Sequence, residues 1–117
     1  MAWSSEIAEA GLDTGAPGGT VDSAWVTLLP NELVHISVLR TDAGAVDRWQ
    51  IDVLSSTDKV RTDNPPFNRY VIENANKTKS FIITGVYSYK LRISNAVGTP
   101  TDQVIASVFY RKNGVSV

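Results

Sequence analysis

Three observations predict an all-β protein. Apolar and polar side chains alternate along nearly every segment after Trp25, turn-forming residues recur between those segments, and no convincing long helix is present. The expected architecture is an antiparallel two-sheet β-sandwich of about seven to eight strands, with an extended N-terminal arm. An immunoglobulin-like arrangement and a jelly roll give the same period-2 pattern and differ only in strand order, so both stay open at this point. Residues 1–23 are set apart as the arm and residues 24–117 as the sandwich domain. A chain of 117 residues with 43% apolar side chains is enough for one core and too small for two.

The arm differs in kind from the rest because Gly11, Gly15, Gly18, Gly19 and Pro17 punctuate a stretch poor in large apolar groups. Residues 5–10 have the makings of one helical turn, capped by Ser4 or Ser5 with Glu6 near the N-terminal dipole, but so short a helix is unstable alone. Trp3, Ile7 and Leu12 are then apolar side chains in want of a surface. The expectation is that they dock, on their own domain or on a neighbouring subunit, and they are the candidate partner-binding residues.

The body begins at residues 24–29, closed by the turn-forming pair Pro30 and Asn31. Residues 33–41 follow, with Val34, Ile36 and Val38 on one face and His35, Ser37 and Leu39 on the other. A turn marked by Asp42 and Gly44 leads to residues 48–55, with Trp49, Ile51 and Val53 inward and Gln50 and Asp52 outward. The polar connection 56–66 carries Asp58, Lys59, Arg61, Asp63 and Asn64, and Pro65 and Pro66 then force extended backbone. This is the most exposed loop, and those five polar residues are candidate surface contacts. Strands are expected at 67–73, 80–84 and 87–95, with a polar turn at 74–79 and a bulge or tight bend at Gly85. After a turn at 98–100, residues 102–111 alternate once more through Val104, Ala106, Val108 and Tyr110. Asn113 and Gly114 read as a type I′ hairpin turn, leaving residues 115–117 a short edge.

The formal charge of −1 comes from acids and bases interspersed along the chain, so no strong field gathers a polyanion and nucleic acid is disfavoured as a ligand. The arginines fall on different strands, which suits the rim of a protein interface better than a nucleic-acid track. Absence of cysteine removes disulfides, thiolate catalysis and most structural zinc sites. No apolar run approaches the roughly 20 residues that a membrane-spanning helix needs. The first residues also lack a basic and then apolar signal pattern, so the expectation is a soluble protein made in a cytoplasm.

Candidate chemistry is sparse. A metal or proton-transfer site needs several side chains converging on one point, yet His35 is the single histidine and sits mid-strand. Most aspartates fall in expected turns, where Asp bonds its own backbone. Asp58, Asp63 and Asn64 offer oxygen ligands for calcium, but their spacing matches no calcium loop, and solvated loop charges are the default. No catalytic residue, metal site or cofactor is assigned. The glycines at 11–19 are not set between a strand and a helix and no lysine follows them, so they are not a phosphate loop. Asn76, Lys77 and Thr78 match the N-glycosylation pattern by accident in a chain expected to stay in a cytoplasm. Tyr70, Tyr87, Tyr89 and Tyr110 are candidates for a carbohydrate platform, or equally for cross-strand packing.

The C-terminal half, NRYVIENANKTKSFIITGVYSYKLRISNAVGTPTDQVIASVFYRKNGVSV, resembles small β-sandwich virion proteins of tailed bacteriophages. In these a strand reading as ISNA precedes a polar turn, and the last strand closes near YRKNGV. The segment SAWVTLLPNELVHISV has the same look, and the likeness spans about the last 95 residues. The resemblance implies a non-enzymatic structural protein on the capsid surface, decorating or cementing it, or the base of a head fibre. Its partners would be the major capsid protein or other virion subunits, often with trimers of the chain itself. The alternative is a host-adhesion or carbohydrate-binding module of a phage fibre or tail.

Overall fold

The computed structural model describes residues 3–16, 18–42, 48–73, 78–95 and 103–114. Of the expected turns at 41–47 and 74–79 only residues 41–42 and 78–79 are described, and 78–79 are strand, because Leu39 and Val38 of the neighbouring strand pair with them. The turn at 98–100, the Asn76 position and the closing edge 115–117 lie outside the described residues. Among the described residues nine strands form: β1 (Ile7–Asp13), β2 (Thr20–Asp22), β3 (Val26–Thr27), β4 (Glu32–Arg40), β5 (Trp49–Ser56), β6 (Asn68–Ile72), β7 (Thr78–Thr84), β8 (Ser88–Ser94) and β9 (Ile105–Gly114). They make two antiparallel sheets, one ordered β1-β9-β4-β7 and the other β2-β8-β5-β6, with the short β3 also pairing β8.

This order settles the topology that the period-2 pattern leaves open. The pairs nest: β1 with β9, β2 and β3 with β8, β4 with β7, β5 with β6, and successive pairs pass alternately to the first and second sheet. A long antiparallel ribbon wound around a sandwich in this way is a jelly roll.

The segment 1–23, expected as an extended arm, is extended in its described part and supplies an edge strand to each sheet. Residues 7–10 are strand instead of helical turn. The free edge of β9 offers a row of backbone partners, and the pairing Ile7↔Tyr110 through Asp13↔Ile105 outweighs the weak preference of a few residues for helix. A bulge falls between Glu9 and Leu12, where Gly11 has φ of 73°, a left-handed conformation that favours glycine. Asn113 and Gly114 also depart from expectation. They continue β9 opposite Leu33 and Glu32, because β4 starts early enough to give them partners that a hairpin turn would forfeit.

The core lies between the sheets. Val34, Ile36 and Val38 of β4 face Trp49, Ile51 and Val53 of β5, joined by Tyr89, Leu91 and Ile93 of β8 and by Val104, Ala106 and Val108 in and beside β9. Each set comes from every second residue of its segment, as the alternation predicts. Leu12 and Val21 from the N-terminal segment pack against this core, so the segment is held by burial as well as by hydrogen bonds. At one end, buried Arg40 forks onto Asp42, with Nε to Oδ1 at 2.8 Å and Nη2 to Oδ2 at 3.0 Å, and also donates to the Gln103 carbonyl at 3.2 Å. The Ile105 N–H donates to Asp42 Oδ1 at 3.1 Å, which clamps the end of β4 to the start of β9.

Candidate functional site

Loop 56–66 sits at one end of the sandwich and is built around Asp58. Its Oδ1 accepts the backbone N–H groups of Val60 and Arg61 and the Ser56 hydroxyl, all at 2.9 Å, while Oδ2 accepts Arg61 Nε at 2.8 Å. The Arg61 and Val60 backbone N–H groups, then the Ser56 hydroxyl, hold the Asp58 carboxyl well below the usual carboxylate range. Lys59 adopts φ of 61° to let the chain wrap around this carboxylate. Asp63 Oδ2 accepts both the N–H and the hydroxyl of Ser55, at 2.8 and 2.6 Å, and ties the far side of the loop to β5. Asp58 and Asp63 are thus structural knots of the loop, Lys59 and Asn64 are exposed, and Arg61 reaches into solvent.

Beside this loop lies an open cleft of about 440 Å³, walled by Arg61, Thr62, Asp63, Phe67 and the 85–87 turn. A second cleft of about 470 Å³ runs along the other side of the same turn, against residues 27–32. Gly85 makes the bend with φ of 79°. Tyr87 stands between the two clefts, 52% exposed, and Phe67 is exposed to the same extent. Two hydrogen bonds fix the turn: the Leu28 N–H to the Tyr87 carbonyl at 2.8 Å, and the buried Ser88 hydroxyl to the Ser56 carbonyl at 2.6 Å. Phe67 escaped the sequence reading as a surface group because it looks like the first residue of a strand. Pairing starts one residue later, at Asn68, and the two prolines before Phe67 are the signal that it stands outside the ladder.

The four tyrosines are not one platform. Tyr89 is buried in the core, where burial pushes its hydroxyl pKa up. Tyr70 stacks on Phe81 with ring centroids 4.6 Å apart, and half-buried Tyr110 packs on the core. Tyr87 alone among them is largely exposed.

The outer face of the β1-β9-β4-β7 sheet carries a different surface. Trp3 bridges to Asn113 and continues the β1 side of the sheet, placing its ring 6.2 Å from that of His35 at a tilt of 56°. His35 lies between Ile82 of β7 and Arg111 of β9 in register, and Trp3 and Ile82 are 48% and 60% exposed. Arg111 donates to the Ser4 carbonyl at 3.1 Å and pins the segment before β1 here. Of the three arm residues singled out from sequence, Trp3 joins this face, Ile7 is exposed on β1, and Leu12 turns to the core.

The outer face of the other sheet is ionic. Asp22, Arg92, Asp52 and Arg69 lie side by side on β2, β8, β5 and β6, an alternating row four strands wide. Arg92 forks onto Asp22 at 2.8 and 3.0 Å, and Arg69 onto Asp52 at 2.8 and 3.1 Å. Asp52 was expected outward, and it is, but these neighbours leave it only 7% exposed. The Arg92 hydrogen bond, with Lys90 adding to it against the opposing effect of burial, lowers the Asp22 pKa. Lys90 in turn lies 4.9 Å over the Trp25 ring. Among the described residues, no three His, Asp or Glu side chains are grouped as metal ligands would be.

No protein-family model matches the chain, and no curated protein matches it. Similar folds occur among solved structures. One, described as "Crystal structure of PirA", superposes with a TM-score of 0.57 over 90% of this chain and 92% of that one, at 10% identity. Another, described as "Bacillus endospore appendages form a novel family of disulfide-linked pili", gives 0.54 over 95% and 89%, at 12% identity. A third, "CBM4 structure and function", gives 0.47 over 90% and 66%, at 12% identity. At such identities the likeness is one of fold alone.

Proposed function

We propose that this chain is a non-enzymatic structural subunit that joins the exterior of a larger particle, a tailed-phage capsid in the reading the sequence resemblance favours. It would do so through the outer face of the β1-β9-β4-β7 sheet, against the major capsid protein or another virion subunit. The observation that carries the proposal is the exposed Trp3–His35–Ile82 surface, held in place by Ser4 hydrogen-bonded to β9. Aromatic and aliphatic groups set on a rigid sheet, with Arg111 at their margin, have the make-up of an interface centre with a polar rim.

The carboxylates also suit a structural role. Asp22, Asp42, Asp52, Asp58 and Asp63 each accept hydrogen bonds that organise a strand or a loop. One similar fold belongs to an appendage described as disulfide-linked pili, so a sandwich of this shape is compatible with repeated assembly. This chain has no cysteine, and the contact proposed is non-covalent. Many copies of one weak interface, repeated by the symmetry of a shell, add to a large stabilisation.

Co-sedimentation of the purified protein with capsids stripped of it tests this. Binding at a symmetric stoichiometry, lost in Trp3→Ala and Ile82→Arg, is the expected result. Capsids that leave the protein in the supernatant, or binding indifferent to both substitutions, would overturn it.

A further inference from the structure

We infer that the paired clefts around Tyr87 form a binding groove for a neutral oligosaccharide, with Phe67 and Tyr87 as stacking platforms. This goes beyond the assembly role and does not depend on it, since the groove lies at the sandwich end and the proposed docking surface lies on a sheet face.

The chemistry of the walls selects the ligand class. A pyranose ring has an apolar face of C–H groups, slightly electropositive, and an equatorial rim of hydroxyls that both donate and accept. The negative face of an aromatic ring suits the first, and convergent polar side chains suit the second. Phe67 and Tyr87 line the same cleft, and both are about half exposed. Tyr70, Trp3 and Trp25, by contrast, already have an aromatic or cationic partner.

The same cleft is also lined by Thr57, Thr62, Arg61 and Asp63. Arg61 spends Nε on Asp58, leaving its outer amino groups for a ligand, and Asp63 spends Oδ2 on Ser55, leaving Oδ1. A guanidinium donor and a carboxylate acceptor lining one cleft suit sugar hydroxyls, which both accept and donate. Arg61 is already balanced by Asp58, so the Asp63 carboxylate disfavours an acidic sugar and leaves a neutral one. The second cleft shares the 85–87 turn and adds Leu29 and Pro30, so the groove continues past Tyr87 and accommodates more than one residue of a chain. The platform is fixed in advance. Val86 packs on the core, and the two backbone-directed hydrogen bonds hold the turn and the loop together, so little ordering opposes binding.

The test is titration of the full ¹⁵N-labelled chain with a panel of neutral tetrasaccharides: α- and β-linked glucose, and those of mannose, galactose and N-acetylglucosamine. At least one is expected to shift amide resonances of residues 55–63, 67 and 85–87, with a Kd between about 10 μM and a few millimolar. Tyr87→Ala and Phe67→Ala are each expected to weaken it about tenfold or more, while Tyr87→Phe keeps most of the affinity. Retained dispersion of core resonances shows that each variant is folded. Ile82→Arg is the control, expected to lose capsid binding and keep sugar binding. A panel that leaves the spectrum unchanged to about 10 mM overturns the inference. So does binding that survives both ring deletions, or an extended peptide that occupies the groove where no sugar does.

Discussion

Trp49 and Asp42 show how differently single residues hold this molecule. Trp49 is fully buried, and truncating it to alanine leaves a cavity that a two-sheet core cannot close, so Trp49→Ala is expected to cost about 3–5 kcal/mol by chemical denaturation. Asp42 instead balances a charge. Burial tends to raise its carboxyl pKa, but the Arg40 fork and the Ile105 N–H outweigh that and hold it low. Asp42→Ala takes the carboxylate counter-charge from the buried Arg40 guanidinium, which keeps its bond to the Gln103 carbonyl, and is expected to cost about 3 kcal/mol. Asp22 is likewise held low, chiefly by Arg92. A carboxylate depressed in the fold stabilises it above the unfolded value and loses that contribution as pH falls through the folded value. The melting temperature is therefore expected to hold down to the unfolded carboxylate pKa of about 4 and drop below it, with a shallower drop in Asp22→Asn. Little of this was legible in the sequence: Asp42 reads as a turn residue, and its partner Ile105 is 63 positions away.

Among the elements, β4, β5, β8 and β9 were legible because apolar side chains recur at every second position through most of each and are buried there, which favours one register. The first strands were not. β1 has two partly buried residues in seven, and Gly11 interrupts it, so its state is fixed by β9 and not by its own side chains. Gly11→Ala places a side chain in a left-handed backbone with open space around it, so the cost is conformational alone, about 1 kcal/mol, measurable as a shift in denaturation midpoint. Deleting residues 1–20 removes β1 and uncovers the hydrogen-bonding edge of β9. The expected outcome is a destabilised, self-associating protein in light scattering, with the aggregation arising from the bared strand. The loop at 56–66 was legible as exposed and polar. Its knot at Asp58 was not, because nothing in the composition says which of its carboxylates the backbone will wrap around.

For the whole molecule, the fold class followed from periodicity, but the strand order did not, since pairing partners lie far apart in the chain and leave no local trace. That same order dictates kinetics. The outermost pair joins the two ends of the sequence, so loop closure must precede most of the stabilising contacts, and refolding in stopped-flow is expected in the millisecond-to-second range. The candidate surfaces divide along the same lines. Sheet faces were foreseeable from which residues of a strand point away from the core, whereas the groove at Tyr87 arises from three connections that only the fold brings together. The hydrogen bonds between Ser4 and Lys112 have one more consequence. Linking the chain just after β9 to the segment at Trp3 and cutting it inside loop 56–66 would give a circular permutant with every described strand intact.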